Sequence, residues 1–464
     1  MKRRVVITGL GPATAIGIGK KDFSAGLYGL KPCIAEIPSS YEHNYKFKSR
    51  YFVPKPEFTL TDIGIHKSVE GMMEESSRLS VLCTKLALED AGFQISNTEK
   101  YLQVEGLENC GIIIGTGMSS LQTALESYAA HIAGTDKSAA ESDCRSGSNL
   151  NSNSNPNSNS NSNPNPNPNP NLNPNLNPNP NPNKPHFNRM VIPKLMTNAP
   201  AAWISILFGL KGFSYTLNTA CASGSYAIGE AYETILSGRC DVILAGGVEV
   251  LAEKHGAIMR GFDMLSALTR AKDGRPLPFS RQRSGFLFNE GAGCVLVLEE
   301  LARARKRGAG IYAEIVGYEA CSDAYSIVQM DPSGDSITSL FQKITGGIKV
   351  DYLNAHGTAT IANDDIEAKV IQWIFGAAGA QPYINSTKGI LGHSIGASGA
   401  IEVAVVALSI KKSRIHGNIT TDPLENLNLP LETLTAPIDY ALSASYGFGG
   451  HNALILLKRY EDHE

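Results

Sequence analysis

Two stretches of this 464-residue chain begin with nearly the same run of small residues: ASGSYAIGEAYETIL directly after Cys221, and the IGASGAIEVAVVALSI part of GHSIGASGAIEVAVVALSI directly after His393 and Ser394. A helix that starts with Gly, Ala and Ser can approach a neighbouring backbone far more closely than one that starts with large side chains. Each stretch follows a strand-like segment, FSYTLNTA in the first case and PYINSTK, which runs into Lys388, in the second. Around them lie two series of continuous apolar runs: VVITG, CGIIIGTG, FSYTLNTA, DVILAGG and CVLVLEE, then IYAEIVGYEA, DYLNAHGT, PYINSTK, IDYALSASY and ALILLKR. Helical periodicity falls between them, at residues 77–91, after Cys221 and at residues 394–411. Apolar strands alternating with helices predict an α/β protein whose sheets are covered on both faces. The two series read as two versions of one plan, dividing near residue 305 into 1–304 and 305–464. Ordinary α/β repetition gives the same pattern, so the pattern alone leaves both readings open.

One segment cannot join either series. Residues 146–184 alternate Asn with Ser, Pro or Leu and hold almost no apolar side chains, so nothing offsets the entropy of ordering them. They are expected to form a disordered, dispensable loop inside the first half, because globular patterning resumes straight after them. Over its whole length the chain is 42% hydrophobic and 18% charged with a formal net charge of -3, which predicts no nucleic-acid partner. The basic run at 303–307 is expected to be a solvated helix face. Eight scattered cysteines without a Cys-x-x-Cys pair argue against a disulfide framework or a structural metal, and suit a reducing cytoplasm. Gly9, Gly11 and Pro12 break the first apolar run too early for a signal peptide, so VVITG is read as a strand ending in a tight turn. No run reaches the ~18 apolar residues of a membrane span.

Three residues stand out for chemistry. Cys221 follows a strand and opens a helix, where backbone dipoles favour a thiolate and a backbone N–H can face a developing oxyanion. A buried structural cysteine is the competing reading. His356 in HGTAT lies at the end of a strand, where α/β proteins place ligands, with Thr358 and Thr360 on the same loop. His393 in Gly-His-Ser sits five residues after Lys388. A lone His is usually a satisfied polar residue, but two at Gly-flanked strand-to-loop junctions point to close backbone approach around a ligand. The late GFGG turn lacks the strand–loop–helix setting of a phosphate cradle, and GLGPAT carries Thr14 in place of the third glycine of a dinucleotide fingerprint.

Taken together, VVITGLG, GTGMSS, NTACASG, LAGGVEV, GFLFNEGAG, SDAY, HGTATIANDDIEAK, KGILGHSIGASGAIE and YGFGGHN resemble, in order and spacing, the β-ketoacyl-acyl-carrier-protein synthases, type II condensing enzymes of the thiolase superfamily. The resemblance covers nearly the whole chain apart from the Asn/Pro-rich segment. It implies a thiolase-like fold, two similar halves forming a five-layered αβαβα sandwich. The implied activity is decarboxylating condensation of an acyl thioester with malonyl-acyl-carrier protein, in fatty-acid, polyketide or related lipid synthesis. Cys221 would carry the acyl group, and His356 and His393 would stabilise the enolate left by loss of carbon dioxide. Lys388 would orient the histidines, supported by Asp364, Glu367 and Glu402. Phe448 would gate the site and add its N–H to that of Cys221 in an oxyanion hole. Thr358 and Thr360 would hold the phosphopantetheine arm, and Met118 and Phe262 would border the acyl channel. Also implied are a homodimer paired through FSYTLNTA, an acyl carrier protein as partner, no metal, and no cofactor beyond the carrier's phosphopantetheine.

The chain departs from the family pattern at Ala444, where Asn is usual, at Tyr446 for Phe, at Ser326 for His, and at Ser284 for an acid. None of these removes a catalytic residue, but they leave the pathway open. Thiolases use a second cysteine in a C-terminal loop, and no cysteine follows Cys321 here. Three-carbon initiating synthases use Cys, His and Asn, against a second His here. Non-catalytic chain-length-determining partner subunits, the alternative function, typically lack the cysteine.

Overall fold

A computed structural model describes residues 3–42, 45–97, 101–132 and 189–461. The segment 146–184, and with it the expectation of a disordered loop, lies outside the described residues. Ten strands form one hydrogen-bonded path: β1 (Val5–Thr14), β2 (Gly111–Gly115), β3 (Ser214–Leu217), β4 (Val242–Val250), β5 (Gly291–Glu300), β6 (Ala313–Ser322), β7 (Tyr352–Asn354), β8 (Tyr383–Asn385), β9 (Tyr440–Gly447) and β10 (His451–Lys458). Across the first five the spatial order is β1-β5-β4-β2-β3, and across the second five it is β6-β10-β9-β7-β8. Pairing directions repeat as well. The first, fifth and fourth strands of each set are antiparallel neighbours, and the fourth, second and third are parallel. Even a bulge recurs: Thr8 and Val316, each the fourth residue of its strand, are skipped in the register with β5 and β10. The two sets join where the start of β1 pairs antiparallel with β6, Val5 opposite Ile315.

Five helices give the layers. α2 (Ser223–Leu236) and α5 (Ser398–Lys412) pack on each other and on strands of both sets, forming the central layer. α1 (Glu75–Asp90) covers β1, β5 and β4 on one outer face. α3 (Asp335–Thr345), with α4 (Ile361–Phe375) packed beside it, covers β6 and β10 on the other. The buried apolar clusters follow this layering. One fills the centre around Ile228, Ile235, Val405 and Leu408, one lies under α1, and one under α3 and α4. The result is the α-β-α-β-α sandwich implied by the sequence resemblance.

Small residues set the central spacing. A Cβ on Gly224 would lie 2.6 Å from the Ala400 nitrogen, and one on Gly399 would lie 2.7 Å from the Ser225 nitrogen, so each helix needs its glycine where the other crosses. Two local expectations fail. β1 does not turn after VVITG but continues through Gly9, Gly11 and Pro12 to Thr14. Those glycines serve close packing instead: a Cβ on either would strike α1 carbonyl oxygens, Ala87 at 2.2 Å and Cys83 at 1.9 Å. The basic run at 303–307 is not a plain solvated face either. Arg303 and Arg307 both grip the fully buried carboxylate of Glu299 and lie over the Phe93 ring, 5.8 and 4.2 Å from its centroid. An acid at the end of a buried strand needs a cation, and these two reach it.

Among the described residues no helix is long and apolar enough to cross a membrane, and no group of three or more His, Cys, Asp or Glu is placed to hold a metal.

Candidate active site

Both central helices begin with the same backbone device. A short 3-10 turn, Ala220–Ala222, leads into α2, and a second, Ile395–Ala397, leads into α5. The first residue of each turn is a non-glycine held at positive φ, Ala220 at 50° and Ile395 at 46°. Such a conformation persists only where the surrounding structure fixes it. The middle residue of the first turn is Cys221; that of the second is Gly396. The duplication therefore extends to the site, with a thiol in one copy and no side chain in the other.

Cys221 is 5% exposed. The backbone N–H groups of Phe448 and of Cys221 itself face its sulfur and favour the anion, as does the nearby Lys388 cation, but burial outweighs them and pushes the thiol up to about 11. Cys221 thus stands at a helix start, as its sequence setting predicts, but the local dipoles do not set its ionisation: the resting group is a thiol. Phe448 reaches the sulfur because Gly447, at the end of β9, lies against the turn that carries Cys221. A Cβ there would sit 2.6 Å from the Thr219 oxygen and 3.2 Å from the Cys221 nitrogen.

The two histidines lie side by side, ring centroids 5.5 Å apart and nearly perpendicular. His356 follows β7, which is parallel to both neighbours, so it stands at a carboxyl end between like strands. Its backbone N–H and that of Gly357 donate to the Glu367 carboxylate at 2.8 and 2.7 Å. Asp364 accepts from the Phe279 and Ala359 N–H groups at 2.7 and 3.1 Å, fixing the same loop from below. Burial raises both acids, Glu367 to about 7 and Asp364 to about 6. Lys388, 2% exposed, pairs with the buried Glu402 and places its ammonium 3.2 Å from His356 Nδ1. An ammonium can only donate, so Nδ1 accepts and the ring proton sits on Nε2. His393 Nδ1 lies 3.0 Å from the Ser398 hydroxyl, and the Phe286 ring stands edge-on to its imidazole at 5.1 Å. Burial, with Lys388 nearby, holds both histidines well below their usual range. They are therefore neutral N–H donors at neutral pH.

These groups meet in a cleft of about 350 Å³ lined by Cys221, His356, His393, Thr358, Thr360, Phe262 and Phe448, among others. The hydroxyls of Thr358 and Thr360 are 2.9 Å apart, and Thr360 also caps α4 through the Asn363 N–H. Met118 does not line this cleft; it packs into the apolar cluster that holds Cys221, Phe262 and Ile395. Lys388, Asp364, Glu367 and Glu402 lie behind the cleft rather than in it. Of the departures from the family pattern, Tyr446 and Ser284 line the cleft, the former with its ring 5.4 Å from that of His356. Ser326 accepts the N–H groups of Val328 and Gln329 in the loop over the Gly-rich turn, and Ala444 is buried within β9.

Reading the residues one by one missed Glu249. It is 1% exposed at the end of β4 and takes backbone N–H groups from Gly117, Met118, Ser119 and Gly396. An acid at the end of the apolar run VILAGGVEV was the available signal.

Comparison with known proteins gives the family. Residues 2–162 and 172–304 match the family model for the β-ketoacyl synthase N-terminal domain, and residues 312–422 match that for the C-terminal domain. The chain is similar to a 3-oxoacyl-[acyl-carrier-protein] synthase 2 of Coxiella burnetii, 31% identical over 99% of this chain and all of that protein. It is also similar to a protein of the same name from Staphylococcus aureus strain COL, 42% identical over 60% of this chain and 68% of that one. Among solved structures it resembles a β-ketoacyl synthase from Burkholderia phymatum, with TM-score 0.77 and 26% identity over 99% of this chain and all of that one. A ketosynthase solved with its type II acyl-carrier protein shares the fold, with TM-score 0.78 at 23% identity over 99% of this chain and all of that one. With both domain models matched in order and a relative aligned end to end, the chain belongs to the β-ketoacyl synthase family.

Proposed function

We propose that this chain catalyses the decarboxylating condensation of an acyl thioester with malonyl-acyl-carrier protein, giving a 3-oxoacyl-acyl-carrier protein. The observation that carries the reading is the convergence of one thiol, two neutral imidazoles and two backbone N–H groups on a single cleft. In the first step the sulfur of Cys221 attacks the acyl carbonyl, and the N–H groups of Cys221 and Phe448 receive the developing oxyanion. The carrier thiol leaves, having gained the proton that Cys221 gave up. In the second step malonyl-carrier takes its place and loses carbon dioxide. The negative charge moves to the thioester oxygen, where His356 and His393 donate hydrogen bonds. Lys388, braced by Glu402, keeps the proton of His356 on Nε2, and Asp364 and Glu367 hold its loop. The enolate carbon then attacks the acyl-Cys221 carbonyl, and the Cys221 sulfur departs as a thiolate that takes a proton from water to restore the resting thiol. Decarboxylation itself supplies the carbanion, so the scheme calls on no cofactor beyond the carrier's phosphopantetheine, which Thr358 and Thr360 would meet, and on no metal.

The same reading makes the acyl carrier protein the partner, in a reducing cytoplasm that suits seven free cysteines among the described residues. A homodimer is supported by β3, an edge strand with Tyr215 exposed, packed beside the helix Ala199–Phe208 that exposes Ile206. The repeated sheet order supports a division into halves 1–304 and 305–464. The rival, a non-catalytic chain-length-determining partner, has no use for the full set of Cys221, His356, His393 and Lys388.

Acyl-enzyme formation and carbon dioxide release, measured separately, test the scheme. His356→Ala and His393→Ala should each lose decarboxylation by about 100- to 1000-fold while Cys221 still acylates. Cys221→Gln should keep decarboxylation and lose condensation. Wild-type decarboxylation rates in both histidine variants would refute the assigned roles.

A further inference from the structure

The two fourth strands end differently. β9 brings an N–H, that of Phe448, to the sulfur of Cys221. β4 brings a carboxylate, that of Glu249, to the N–H of Gly396 in the matching turn, at 3.1 Å. The same carboxylate accepts from the Gly117 N–H at 2.6 Å, from those of Met118 and Ser119 at 3.0 Å each, and from the Thr116 hydroxyl at 3.4 Å. The contacts leave no slack. A Cβ on Gly117 or on Gly396 would each come within 2.7 Å of Glu249 Oε2, and one on Gly396 would lie 2.3 Å from the Gly117 nitrogen. Two segments distant in sequence are therefore clamped on one anion. One carries Met118; the other carries Ile395, with His393 two residues before it. The side chains of Met118 and Ile395 pack with Phe262 and Cys221 in one apolar cluster.

We propose that Glu249 is a positioning residue that sets the width of the apolar channel in the cleft beside Cys221, which Phe262 and Ile395 line, by holding the Met118 turn packed behind it against the Ile395–Gly396 turn. The inference rests on the condensing function proposed above. Burial lifts this acid to about 6, against the pull of its backbone N–H donors, all of them uncharged. Glu249→Gln keeps the shape but replaces one accepting oxygen with an NH2 group. That group would then face the N–H groups of Gly117 and Gly396, or those of Met118 and Ser119, donor against donor. One side of the clamp is lost and the channel wall is released.

The test reads Cys221 directly and needs no turnover. The full-length protein, its Glu249→Gln variant and its Glu249→Asp variant are treated with iodoacetamide and with N-octyl iodoacetamide, and the rate of Cys221 alkylation is followed by mass spectrometry. Removing a nearby negative charge makes the thiol more acidic for both reagents alike, so the ratio of octyl to plain rates cancels that effect. The ratio should shift by about fivefold or more in Glu249→Gln, as expected when a channel changes width by part of a methylene group. Glu249→Asp, which keeps the charge but shortens the reach, should shift it in the same direction. Ratios within twofold of wild type in both folded variants would overturn the proposal. So would failure of both variants to fold, since the carboxylate would then be a folding element. Variants that shift as expected, beside a wild-type protein that never condenses malonyl-carrier, would refute the function and leave the clamp standing.

Discussion

Gly447→Ala is the sharpest probe of how the proposed oxyanion donors are held. Gly447 has an ordinary negative φ, so alanine can adopt its backbone and any effect comes from space alone. The added Cβ would meet the Thr219 oxygen at 2.6 Å, against an ordinary contact of about 3.4 Å, so the two backbones must part by about 0.8 Å. Neither wall is a side chain that could rotate away. Parting them moves Phe448, whose N–H faces the sulfur, relative to Cys221. A shift of this size costs about 100-fold in rate, and full loss of one oxyanion donor about 100- to 1000-fold. Overpacking should lower stability by only about 1–3 kcal/mol. Rapid-quench mass spectrometry of acyl-Cys221, beside a thermal melt, separates the two effects. Gly449→Ala is the control. Its φ of 82° makes alanine cost about 1–2 kcal/mol, yet the Cβ would meet only the His451 ring. Acylation there should stay within about threefold of wild type, since no donor moves. A folded Gly447→Ala that acylates as fast as the control would refute the reasoning.

Two further outcomes follow from burial. Because the Cys221 thiol is pushed up to about 11, its alkylation rate should climb about tenfold per pH unit from pH 7 to pH 10; a plateau near pH 8 would contradict a buried neutral thiol. Lys388→Met strands Glu402 in the interior and should cost about 3–5 kcal/mol by denaturant unfolding, while Lys388→Met with Glu402→Leu should recover most of that without restoring decarboxylation; equal stability of the single variant and wild type would show that the pair carries no such penalty.

The sequence was informative where chemistry needs rare residue types at backbone junctions. Cys221 and His356 each stand where a strand gives way to a helix or loop, His393 follows the short helix Lys388–Leu391 instead of a strand, and the structure brings all three to one cleft. Glycine was harder to interpret. The same residue that ends a strand can hold it against a helix, as Gly9 and Gly11 do, and only the neighbour across the gap distinguishes the two. Ionisation was not legible either, because burial depends on residues far along the chain: the local dipole at Cys221 is outweighed by walls drawn from both halves. Glu249 and Glu299 look alike as acids in apolar strands. One is met by backbone N–H groups and the other by two arginines, a difference set entirely by tertiary packing.

The paired elbows give the molecule an internal comparison. Ala220 and Ile395 share the same unusual backbone angle, so the geometry that presents the thiol arises in a copy that presents nothing. Reactivity at Cys221 is therefore not a property of the elbow. It comes from what the opposite half delivers to it: a donor where the nucleophile stands, an acceptor where it is missing. In a chain built this way each half serves as a wall for the other's elbow, and only one of the two elbows carries a side chain that can react.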